Sequence, residues 1–113
     1  MSKRLPSLLI ADMLDSIGKV QRYLEGMTFD QFIADERTVD AVVRNFEIIG
    51  EATAQLPASF KDAHPHIPWR DIADFRNVLI HEYFGVNLPT LWEIVEMNLD
   101  ELRKQLSELA GTT

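Results

Sequence analysis

The residue types able to handle both a proton and a phosphate come together in one stretch of this 113-residue chain, Arg76-Asn77-Val78-Leu79-Ile80-His81-Glu82-Tyr83. Arginine is a permanently charged fork of donors matched to phosphate oxygens. Histidine is the side chain whose ordinary pKa lets it give and take protons near neutral pH. Together they supply what metal-free phosphodiester cleavage requires, a proton shuttle and a clamp for charge on the phosphoryl group. In RNA the nucleophile is the substrate's own 2′-hydroxyl, so no cysteine, serine or metal is needed. Asn77 can hydrogen-bond beside either group, and the Tyr83 hydroxyl can hold a substrate phosphate. Arg-x4-His is a short pattern, however, and the same residues also read as a helix end with a capping histidine and a surface ion pair.

These residues need a helix to carry them. Trp69-Arg70-Asp71-Ile72-Ala73-Asp74-Phe75 reads as its earlier turns, with Ile72, Phe75 and Leu79 at the spacing of a buried stripe. On an ideal helix Arg76 and Tyr83 lie within roughly 20° of each other, whereas His81 is turned roughly 140° from Arg76 and stacks over Asn77. A straight helix therefore does not aim Arg76 and His81 at one point. Either the helix distorts near Ile80, or the two residues meet through a second copy of the chain.

The whole segment carries more information than the motif. Pro68-Trp69-Arg70-Asp71-Ile72, followed by Phe75-Arg76-Asn77-Val78-Leu79-Ile80-His81-Glu82-Tyr83-Phe84-Gly85-Val86, resembles the HepT-like family of the HEPN superfamily, with its Arg-x4-His-x-Tyr motif on the third long helix. Asp35-Glu36-Arg37-Thr38, Arg44-Asn45-Phe46-Glu47-Ile48-Ile49-Gly50-Glu51-Ala52 and Leu91-Trp92-Glu93-Ile94-Val95 are similar to that family too, so the resemblance covers nearly the full chain. It implies a metal-independent RNA endonuclease working as a homodimer, with the motif at the subunit interface and no cofactor. Arg76 and His81 would be catalytic, and Asn77, Tyr83 and Glu51 supporting. It further implies a toxin of a type VII toxin–antitoxin module, acting on RNA, with tRNA one candidate substrate. Its partner would be an MntA-type nucleotidyltransferase antitoxin that adenylylates the motif tyrosine, here Tyr83.

A length of 113 residues bounds the chain to a single domain, 1–113, with a modest core, and a 46% apolar content favours folding over disorder. The absence of cysteine excludes a disulfide framework and thiol catalysis, and fits a reducing cytoplasm. No apolar run approaches the ~18 residues of a membrane helix. Asp12 and Asp15 interrupt the apolar N-terminal run, so it does not read as a signal peptide. The formal charge of −7 argues against a broad nucleic-acid surface, which needs a basic stripe. RNA binding then requires arginines gathered locally, such as two copies of Arg76 across a dimer interface. An acidic exterior equally suits a protein partner with a positive surface of its own.

Along the chain, residues 7–25 read as a helix from the recurrence of Ile10, Met13, Ile17, Val20 and Leu24, ended by Gly26. Residues 28–33 read as a short turn of helix with Thr28 and Gln31 in capping-box spacing, its Phe29 and Phe32 covering one end of the core. Asp35 caps a second long helix running to about Leu56. Its apolar face holds Val39, Val42, Val43, Phe46, Ile49, Gly50 and Thr53, and its polar face holds Arg44, Glu47, Glu51 and Gln55. The family resemblance, which includes Gly50-Glu51-Ala52, makes Glu51 the better candidate of the two glutamates to orient Arg76. Residues 57–68 form the long connection, with Pro57, Pro65 and Pro68; His64 and His66 in it match no recurring zinc spacing and read as loop histidines. Residues 84–87 break the third long helix. A fourth begins at Pro89, or a turn away where Thr90 and Glu93 fit a capping box. It runs through Leu91, Val95, Leu99, Leu102, Leu106 and Leu109, with Trp92 beside the stripe.

The expected fold is all-α: an antiparallel four-helix bundle of HEPN type with one extra short helix. Apolar residues such as Trp92 exceed what one bundle buries, which points to a symmetric dimer. Two functions compete. One is an RNA-cleaving toxin in which His81 is general acid and base and Arg76 stabilises phosphoryl charge. The other is a non-enzymatic helical module that only binds a nucleotidyltransferase partner.

Overall fold

Helix starts are set by side chains whose oxygens replace the missing turn. A computed structural model of the chain describes the backbone of residues 4–81 and 87–111, and the side chains of residues 4–75 and 87–110. The first helix, α1 (Pro6–Leu24), starts on a proline, whose fixed φ suits a first turn. Gly26 follows it at φ +78°, the left-handed conformation that glycine adopts without Cβ strain. The short α2 (Phe29–Ala34) begins at a complete capping box. The Gln31 N–H donates to Thr28 Oγ1 at 3.2 Å, and the Thr28 N–H donates to Gln31 Oε1 at 2.9 Å. Asp35 closes α2 and opens α3 (Glu36–Gln55). Its carboxylate accepts from the Thr38 N–H at 3.2 Å and from the Thr38 hydroxyl at 2.9 Å.

Two expectations need correction. The 57–68 connection contains a short helix, α4 (Ala58–Asp62), that its prolines had obscured. Pro57 occupies the N-cap position, where proline's extended φ and ψ begin a helix and do not break one. The fourth long helix is also not continuous: it divides into α6 (Leu88–Met97) and α7 (Leu99–Gly111) at Asn98. Asparagine is a poor helix former, and Asn98 sits at φ −123°, ψ −28°. The hydrogen-bond ladder crosses the break, from the Asn98 N–H to Ile94 O at 2.9 Å and from the Leu102 N–H to Asn98 O at 3.0 Å. The chain bends there without reversing. α6 starts at Leu88, so Pro89 lies in its first turn. The cap is Asn87, whose side chain accepts from the Thr90 N–H at 3.1 Å, so Thr90 and Glu93 do not form a capping box.

Among the described residues the fold is therefore all-helical, with α5 (Trp69–His81) as the third long helix. α3 packs on α1 along one side and on α5 along the other, and α1 packs also on α7. Met13, Ile17, Val20, Val42, Ile49, Leu99 and Leu106 are wholly buried at the centre. Each such side chain contributes about 1.5–3 kcal/mol by leaving water. Thr53 is buried among them with its hydroxyl bonded to Ile49 O at 2.9 Å and lying 3.7 Å from Met13 Sδ. Phe32 is fully buried and Phe29 half-buried, closing one end as expected. Trp92 covers both, with ring centroids 5.4 Å from Phe32 and 5.7 Å from Phe29. Trp92 itself stays half-buried on these two rings. No described helix is long and apolar enough to cross a membrane.

Candidate functional site

α5 is anchored at its first residue. The Trp69 indole N–H is shared between Lys61 O at 3.1 Å and His64 O at 3.0 Å, which ties the helix start to the α4 loop. Phe60 and His64 pack around that junction, their rings 4.9 Å apart, and Phe60 lies 6.2 Å from Trp69. One turn later Ile72 is buried. Phe75 then meets Phe46 of α3 at 5.3 Å between ring centroids. These contacts set the azimuth of the helix immediately before position 76.

From that azimuth the helix runs unbroken from Trp69 to His81. Position 76 is seven residues after buried Trp69 and four after buried Ile72, and so continues their side of the helix. Positions 77 and 81 are seven residues after exposed Arg70 and Asp74 and continue the opposite side. The backbone is helical as far as His81. On an ideal helix that span leaves positions 76 and 81 roughly 140° apart. The side chains of Arg76, Asn77 and His81 and the whole of Tyr83 lie outside the described residues.

Glu51 lies on the exposed side of α3, and Gln55 Nε2 lies 3.5 Å from its Oε1. With Arg4, Asp12, Arg44 and Glu47 it lines a groove of about 330 Å³ between α1 and α3. Two arginines of this groove are already paired. Arg4 holds Asp12 through two bonds at 2.7 and 3.0 Å, and Arg44 stands 3.8 Å from Glu47. The relation of Glu51 to the Arg76 side chain lies outside the described residues. His64 is half-buried in the α4 loop and His66 exposed beside it. No cluster of three or more metal-ligating side chains occurs among the described residues.

One polar residue escaped the sequence reading. Asn45 is buried on α3, donates its amide to Ala41 O at 2.8 Å, and leaves its Oδ1 without a hydrogen bond among the described residues. A buried orphan acceptor carries a desolvation penalty. Asn45 sits one position before Phe46, on a helix whose apolar spacing absorbs it, so periodicity alone could not single it out.

Comparison with known proteins bears on what this helix end does. No solved structure matches the chain. It is 38% identical over 100 residues to "Probable ribonuclease HepT" of Thermococcus cleftensis, covering 88% of this chain and 91% of that protein. It is 44% identical over 86 residues to "Putative RNase TTE0752" of Caldanaerobacter subterraneus subsp. tengcongensis, covering 76% of this chain and 77% of that one. A longer relative, "Gamma-glutamylcyclotransferase and putative RNase MJ0434" of Methanocaldococcus jannaschii, is 38% identical over 97 residues, which are 86% of this chain but only 44% of its own length. Residues 13–109 match the family described as Ribonuclease HepT-like, a span that runs from α1 to α7 and includes the Arg-x4-His helix, and the chain belongs to that ribonuclease family.

Proposed function

We propose that the chain is a metal-independent RNA endonuclease whose active site is completed by a second copy, with Arg76 and His81 as its catalytic residues. The observation that carries this reading is the unbroken α5, which keeps positions 76 and 81 on different sides of one helix within a ribonuclease family. Two copies of α5 related by a two-fold axis can place Arg76 of one chain beside His81 of the other. His81 then takes the proton from the RNA 2′-hydroxyl as its oxygen bonds to the adjacent phosphorus. The bond to the 5′-oxygen breaks, and that oxygen receives a proton in turn. Arg76 holds the non-bridging oxygens while charge develops on them. Asn77, Tyr83 and Glu51 assist positioning.

In this reading the protein is the toxin of a type VII toxin–antitoxin module in the cytoplasm, neutralised when a nucleotidyltransferase of MntA type adenylylates Tyr83. The added group brings bulk and negative charge to the Arg76 side of the motif, where it occupies the arginine and repels incoming phosphate. A second reading, a non-enzymatic module that binds such a partner, draws on the formal charge of −7, which disfavours RNA.

Cleavage of RNA by the purified protein in EDTA separates the two readings. The native chain cleaves, and His81→Ala and Arg76→Ala each lose activity by about 100-fold or more. Full activity in His81→Ala, or activity that EDTA abolishes and a divalent ion restores, overturns the proposal. Adenylyl mass mapped to Tyr83 after incubation with the nucleotidyltransferase and ATP supports the regulatory part, and adenylyl mass on another residue refutes it.

A further inference from the structure

We infer that the seam between α5 and α7 is a docking groove for a basic amphipathic helix of a protein partner, an interaction surface beside the first turns of α5. α5 packs on α3 and α7 packs on α1, but α5 and α7 are not a closely packed pair among the described residues. The space between them is a groove of about 520 Å³ reaching from the first turns of α5 to the bend at Asn98. Its floor is apolar, formed by Ile72, Phe75, Ile94 and Leu102. Asp71 and Asp74 line it from α5 and Glu101 from α7, and among the described residues His66 is the only basic side chain on its wall.

The arrangement commits the groove to one kind of occupant. Asp71 and Asp74 are three residues apart, about 4.5 Å of rise along α5. Glu101 and Gln105 are four apart, about 6 Å along α7. Polar rows of one helical turn therefore flank an apolar strip on both sides. A helix with leucine-like side chains at i, i+4 and i+7, bordered by Lys or Arg, presents the complementary pattern. RNA is excluded by the carboxylates, and a second copy of this acidic chain is a poor match for them. Asp71 and Glu101 each stand in the first turn of their helix, where a carboxylate favours the helix dipole. That accounts for each alone, but not for their lining one groove over an apolar floor. The bend at Asn98, which also lines the groove, separates the α6 contribution, Ile94, from that of α7, Leu102.

The test uses the full chain and a synthetic 18-residue helix with leucines at those spacings flanked by lysines, and a copy with glutamate in place of lysine. Binding is followed by amide chemical shifts and by titration. The lysine peptide is expected to shift Ile72, Phe75, Ile94 and Leu102, and the glutamate peptide to shift none of them. Asp71→Asn with Glu101→Gln should weaken binding by about tenfold while circular dichroism stays unchanged. Neutralising Asp62, an exposed carboxylate that does not line the groove, should leave binding as it was. Equal weakening by Asp62→Asn, or shifts centred elsewhere, means non-specific attraction and overturns the inference. So does a groove occupied by a second copy, seen as the same four shifts appearing when the chain is concentrated without peptide. Neither outcome depends on ribonuclease activity.

Discussion

At the scale of single residues, Asp35 shows how one side chain serves two helices. Its N–H closes α2 on Phe32 O at 3.1 Å while its carboxylate caps α3 through Thr38. Hydrogen bonds from the Thr38 hydroxyl and then from the Thr38 N–H hold the Asp35 carboxyl below its usual range. A carboxyl depressed in the folded state stabilises the fold above its unfolded value of about 3.9, and that contribution is lost as pH falls through the folded value. Asp35→Asn keeps a capping oxygen but not the charge. It should melt below the native protein at pH 7, and the gap should close as the pH is taken below about 3.9 in a thermal-melt series. Gly26 is the other residue with a backbone role. An ideal Cβ there meets nothing within 4 Å, so Gly26→Ala costs only the left-handed backbone, about 1–2 kcal/mol, measurable by denaturant unfolding.

At the scale of elements, α6 and α7 show how a continuous apolar stripe can conceal a bend. Leu91, Leu99, Leu102, Leu106 and Leu109 are all buried, as their spacing implies, yet the helix divides at Asn98. The exposed Asn98 has no packing role that requires its side chain. Asn98→Ala should therefore raise stability by about 0.5 kcal/mol, read from the denaturation midpoint. No gain would mean that packing, not local propensity, holds the bend. Trp92 belongs to the same region. Half-buried over Phe32 and Phe29, it joins α6 to α2, and Trp92→Ala should destabilise by about 2–3 kcal/mol with the helical content retained.

At the scale of the whole molecule, a composite active site makes a prediction that a single-chain site does not. If each site takes Arg76 from one copy and His81 from the other, Arg76→Ala and His81→Ala proteins are both inactive alone. Mixed after unfolding and refolding together, half of the dimers combine the two variants and each of these holds one intact site. RNA cleavage should return to about a quarter of the native rate. A mixture as inactive as its parts, in a protein that light scattering shows to be dimeric, places both residues of a site in one chain.

The sequence by itself determined the all-α class, the long helices and most of their ends. These follow from local rules: apolar residues at 3.6-residue spacing, Thr28 with Gln31, Asp35 before Glu36, and glycine after α1. It also singled out the stretch from Arg76 to Tyr83 and the family to which the chain belongs, because residue types at fixed spacing survive without coordinates. It could not distinguish a proline that ends a helix from Pro57, which begins α4, nor weigh Asn98 against the leucines around it. It gave no sign that Asn45 is buried with an oxygen left unbonded among the described residues, or that Trp92 packs on Phe32 and Phe29. Those depend on which helix lies opposite. Only the tertiary structure decided the azimuth at which α5 reaches position 76, because Trp69 is tied to the α4 loop and Phe75 packs on Phe46. The seam between α5 and α7 is likewise a property of packing: residues some thirty positions apart in sequence line one groove because each helix found its partner elsewhere.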